Sequence, residues 1–142
     1  MIVSASYRTD IPAFYGDWFR NRIKAGFARV ENPYGGKPST VSLQRHHVDG
    51  FVFWTRNIAP FLGVLDEIHA QTYPFIVSHT LTGYPKALES RTADAHQLIK
   101  SMRILAETFG SRVLVWRYDP ILITSLTPED WHLENFAGLA RG

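Results

Sequence analysis

The sequence predicts an α/β protein, with parallel (β/α) units forming a partial, TIM-barrel-like half barrel that carries one β-hairpin arm. Three observations point there. Short apolar runs alternate with amphipathic stretches along the chain. The amphipathic stretches are bracketed by capping residues and glycine stops. A single turn-rich segment, residues 32–38, breaks the alternation early and leaves room for a hairpin.

Each element follows from its residues. Ile2-Val3-Ser4-Ala5-Ser6 reads as a first strand. Asp10 is placed to cap a helix, with Pro12 tolerated in its first turn. Ile11, Phe14, Tyr15, Trp18, Phe19 and Ile23 keep helical spacing, and Gly26 supplies a stop. Residues 27–31 and 40–44 read as two antiparallel strands around the 32–38 turn. Residues 51–55 form a continuous apolar run, the pattern of a strand covered on both faces. Asn57 can cap a helix whose buried side is Phe61, Leu62, Val64, Leu65 and Ile68. A strand over 75–80 and a turn over 82–85 come next. The longest helix is predicted over 92–109 and ends at Gly110. Residues 113–116 give the last strand, and Thr127-Pro128-Glu129-Asp130 opens a final helix that runs to Gly142.

Right-handed crossovers make the main strands parallel. A complete eight-unit barrel needs about 250 residues, and this chain has 142. The reading is therefore a single domain over residues 1–142 that forms the N-terminal half of a longer protein. Trp18, Trp54 and Trp116 each sit in an apolar run and are expected in the core.

Composition removes several chemistries. The chain contains no cysteine, which excludes disulfides, thiolate nucleophiles and Cys-ligated metals within it. Fifteen basic residues against thirteen acidic ones leave a net charge of +2, too small to argue for a nucleic-acid partner and no ground for excluding one. No apolar run approaches the roughly 18 residues of a membrane span. The N-terminus lacks the pattern of a signal peptide, so cytoplasmic is the default location.

In parallel α/β architectures ligands gather beyond the carboxyl ends of the strands. Those ends carry Arg8 and Asp10, Arg56 and Asn57, His79, then Arg117, Tyr118 and Asp119. The functional reading is a pocket for a small anionic or polar ligand. Arg8, Arg56 and Arg117, with Asn57 and Tyr118, would bind it by forked hydrogen bonds and contact. Asp10 and Asp119 would orient the arginines or act on a proton, and His79 is the acid/base candidate. The competing reading is a purely structural network, with Asp10 as helix cap and Asp119 as turn former. Tyr7 and Tyr118 are the candidates for stacking on a ligand. No metal site is expected; His46-His47 has no third ligand in view and reads as a loop.

Residues 4–15, Ser-Ala-Ser-Tyr-Arg-Thr-Asp-Ile-Pro-Ala-Phe-Tyr, resemble the opening of the family called domain of unknown function 1848. Asn32-Pro33, residues 41–43, residues 52–57 (Val-Phe-Trp-Thr-Arg-Asn), residues 80–84 and residues 116–121 (Trp-Arg-Tyr-Asp-Pro-Ile) resemble its later blocks in the same order. The resemblance implies a barrel-like (β/α) fold. It also implies a longer parent chain, whose C-terminal part carries a cysteine cluster similar to the iron–sulfur ligands of radical S-adenosylmethionine enzymes. An iron–sulfur cluster and S-adenosylmethionine are then expected only with that C-terminal part, and this chain is expected to be inactive alone. Its partner would be that missing half, or a second copy joined through an exposed sheet edge. The alternatives from the residues themselves are a non-catalytic module for a phosphorylated or nucleotide-like ligand and a structural or dimerisation domain.

Overall fold

The computed structural model describes every residue except Tyr7 and Pro33, so the predicted turn over 32–38 is followed only outside Pro33. Strand β1 spans Ile2–Ser4. Asp10 then opens α1 (Ile11–Phe14) by accepting a hydrogen bond from the Ala13 N–H at 3.0 Å. The single helix predicted here is two: Tyr15 leaves helical geometry at φ −129°, and α2 (Gly16–Ala25) starts again after it. Gly26 ends α2 at φ +75°, a left-handed conformation that a side chain would disfavour. The hairpin arm follows as β2 (Phe27–Val30) and β3 (Ser39–Ser42), paired antiparallel in a two-stranded sheet of their own.

Strand β4 (Gly50–Thr55) leads through a 3-10 turn into α3 (Leu62–Ala70), and β5 (Phe75–Thr80) into α4 (Ala95–Phe109). Helix α4 begins later than the predicted 92 because the Asp94 carboxylate accepts from the His96 N–H at 2.9 Å and fixes the start. After β6 (Leu114–Arg117) the chain closes with α5 (Glu129–Arg141). Thr127 does not cap α5. It is fully buried and donates to the Leu122 carbonyl at 2.7 Å, which anchors the preceding loop instead.

The main sheet has four strands in the order β1-β4-β5-β6, all parallel. Its order follows the chain, as repeated right-handed crossovers on one side produce. The pleat sends Phe51, Phe53 and Thr55 of β4 to the same side as Phe75, Val77 and His79 of β5. That side is the core. Phe19 of α2 meets Phe51, Phe53 and Phe61 edge-on at 5.3–5.5 Å, and Val64, Leu65, Ile68 and Leu105 from α3 and α4 complete it. A smaller cluster around Leu81, Leu98 and Met102 holds α5 through Leu139. Phe136 of α5 stacks on Trp116 at 4.9 Å.

The opposite face of the sheet is open. Ile2, Trp54, Ile76 and Val115 remain 72%, 39%, 40% and 45% exposed. This corrects two expectations. The apolar run over 51–55 is covered on one face only, and Trp54 and Trp18 are not core residues. A run of apolar residues looks the same whether its second face meets another layer or none, so the sequence does not separate the two cases. Among the described residues no helix is long and apolar enough to cross a membrane.

Candidate functional site

Because the four strands are parallel, their carboxyl ends share one edge of the sheet. Arg56, His79 and Arg117 do lie at that edge, and the pleat divides them between its two faces. Register pairs His79 with Thr55 and with Trp116 on the helix side, and aligns Thr80 with Arg117 on the open side.

On the open side the Arg117 guanidinium lies 4.7 Å above the ring of Trp54. The same guanidinium pairs with Asp119. At the end of β4, Arg56 pairs with Glu89, whose second carboxylate oxygen accepts from the Thr82 hydroxyl at 3.2 Å. Arg56 keeps a side chain 42% exposed while its Glu89 partner is only 16% exposed, so the cation is anchored from behind and reachable from in front. Two arginines held by carboxylates, one stacked on an indole, make a surface that can meet planar or anionic groups.

On the helix side the picture is different. His79 is fully buried, and Ser6 and Thr55 are buried near the same strand ends. Among the described residues the Ser6 hydroxyl and both ring nitrogens of His79 have no hydrogen-bond partner. Burial pushes the His79 imidazole down to about 4, against the opposing pull of the Asp10 carboxylate. A neutral, fully buried imidazole is not placed to exchange protons with a ligand on the open side. Asp10 is occupied by the backbone: one oxygen accepts from Ala13 N–H and the other from Arg56 N–H at 2.9 Å. It therefore ties the start of α1 to the end of β4.

The remaining candidates disperse. Arg8 is exposed and donates to the Glu31 carbonyl at 2.7 Å, beside the hairpin arm. Asn57 accepts from the Ala59 N–H at 3.1 Å and shapes the turn before α3. Tyr118 belongs to a network under α5. The His132 Nε2 lies 3.0 Å from the Leu122 carbonyl, which can only accept, so Nε2 carries the hydrogen. Nδ1 then accepts from the Tyr118 hydroxyl at 2.8 Å, and Tyr118 in turn accepts from the Asn135 amide at 2.9 Å. Burial raises the Tyr118 phenol. Tyr7 lies outside the described residues. His47 meets the Ser42 hydroxyl at 2.7 Å, and among the described residues no three His, Asp or Glu side chains gather as metal ligands.

Sequence reasoning missed Glu89 and Thr82, and it placed Trp54 in the core. Glu89 lies 33 residues from Arg56 with no spacing rule joining them. A faint signal existed for Trp54: it alternates with Phe53 and Thr55, so it takes the other face of any strand.

A family model described as Domain of unknown function (DUF1848) matches residues 2–142. Comparison with curated proteins and with solved structures gives no match.

Proposed function

The chain belongs to the DUF1848 family, and on that premise we propose that it forms one half of a (β/α) barrel whose open mouth binds a small anionic or polar ligand. Arg56 and Arg117 supply the positive charge, Asp119 and Glu89 hold them in place, and Trp54 offers a stacking face. The observation that carries the reading is the Arg117 guanidinium 4.7 Å over Trp54, on the uncovered side of the sheet at the carboxyl ends of its strands. A purely structural ion pair does not need an exposed indole beneath it. Ligands of parallel α/β proteins collect at this edge.

The iron–sulfur chemistry implied by the family resemblance does not fit this chain. It has no cysteine, and its described histidines and carboxylates form no ligand cluster. The chain alone acts as a binding half.

The test is calorimetric titration with inorganic pyrophosphate and with adenosine monophosphate, at low and moderate salt. Saturable binding that weakens with salt is expected. Loss of a charge-assisted hydrogen bond is worth about 1.5–3 kcal/mol, so Arg117→Ala should weaken binding roughly 10- to 100-fold. Equal affinity in the wild-type chain and Arg117→Ala, or no saturable uptake of either probe, counts against the proposal.

A further inference from the structure

We infer that two copies of this chain associate about a two-fold axis, each pairing its β6 edge with the other's β1 edge, to close an eight-stranded parallel barrel. The inference rests on the sheet's edges and its open face, not on the ligand reading. Among the described residues, both outer strands of the four-stranded sheet are paired on one side only. In β1 the Ala5 N–H reaches the Val52 carbonyl and the Met1 carbonyl accepts from Asp49, so Met1, Val3 and Ala5 face β4. Ile2 and Ser4 consequently aim their backbone groups outward. In β6 the Arg117 carbonyl accepts from Leu81, which turns the backbone groups of Leu114 and Trp116 outward. Such edges are templates for pairing.

The numbers and shapes agree. Four strands in chain order with α2–α4 packed on one side are half of the eight that close a parallel barrel. A two-fold axis along the barrel keeps every strand parallel and makes both seams identical. Four strands at about 4.8 Å spacing and 3.3 Å rise per residue offer roughly 300 Å² of flat face per copy. This face carries Ile2, Ile76 and Val115, which closure would turn into the packed barrel interior, with Trp54 above them at the mouth. The two seams and their flanking helices bring the buried surface towards the roughly 800 Å² per partner of a stable dimer.

The outer side of β1 is also shaped to receive a neighbour. A largely apolar cavity of about 320 Å³ borders β1, lined by its residues together with Trp18 of α2 and Val30 and Val41 of the hairpin. The structure leaves α5 with Leu133 70% and Phe136 46% exposed, and Phe136 sits over β6. An α5 that follows its own β6 to the seam brings these two side chains to that cavity in the partner. The second copy therefore supplies the apolar filling that each copy lacks. Closure would also set both Arg56–Arg117 rims around one mouth, so the second copy contributes residues to the same site.

The test is sedimentation equilibrium of the full chain across a wide concentration range. The expected mass is twice the 16.2 kDa of one chain. Val115→Lys places a charge on the exposed face, and Ser4→Pro removes an outward N–H that bonds nothing within its own sheet. Either change should return the mass to that of one chain while circular dichroism and the thermal midpoint stay near wild type. A wild-type chain that remains monomeric at high concentration overturns the inference, as does a dimer that survives both substitutions. Arg117→Ala separates the two proposals, because it should weaken ligand binding by the same roughly 10- to 100-fold and leave the mass doubled.

Discussion

The buried imidazole of His79 makes stability depend on pH in a direction that can be worked out in advance. In the unfolded chain it titrates at the ordinary 6.5; in the folded protein burial holds it near 4. The unfolded state therefore binds the proton first. Below pH 6.5 each unit of acidification costs about 1.4 kcal/mol until the folded form also protonates near 4. Between pH 7.5 and 5.0 this one residue accounts for about 2 kcal/mol of lost stability, with about 3 kcal/mol lost once pH 4 is reached. Urea unfolding at the two pH values measures the loss. Other groups titrate as well, so the quantity to read is the difference from His79→Leu. That variant removes two buried ring nitrogens that have no hydrogen-bond partner among the described residues, and it should be as stable as wild type or more so at pH 7.5. It should also lose about 2 kcal/mol less on going to pH 5.0. Parallel losses in both proteins, or a His79 resonance titrating near 6.5 by NMR, would show that the site is neither dry nor uncompensated.

Two substitutions test the connections that hold the rim. Asp10→Ala removes the cap of α1 and leaves the Arg56 N–H without its acceptor, so chemical denaturation should report a loss of about 2–3 kcal/mol. A loss under 1 kcal/mol would show that the carboxylate is not the tie between α1 and β4. Tyr84→Phe removes a hydroxyl that donates to the Pro120 carbonyl and accepts from the Leu122 N–H. It should cost about 1–3 kcal/mol and speed amide exchange at Leu122; unchanged exchange there would place the loop's anchor elsewhere.

Local signals carried most of the architecture. Asp10 and Gly26 act at the helix boundaries where they were predicted, because capping and left-handed stops involve atoms only two or three residues away. Asn57 does not cap α3 as predicted; its side chain closes a turn at Ala59, and α3 starts at Leu62 with no side-chain cap. The misses have the same origin. Tyr15 breaks a helix whose apolar spacing runs on without interruption, and Asp94 takes over a start that the sequence leaves open over several residues.

The sequence by itself determined the alternation of strands and helices, their parallel order, and the placement of Arg56, His79 and Arg117 at one end of the sheet. Each of these follows from periodicity, caps and crossover handedness. Tertiary structure decided which of those groups can cooperate. The register of β4 against β5 turned His79 into the core and left Trp54 and Arg117 outside. A chain segment far away supplied Glu89 for Arg56. Side-chain direction in a strand alternates at every residue, and the choice between the two faces is made by which layer packs against each. That choice is a property of distant contacts, which no short stretch of sequence contains.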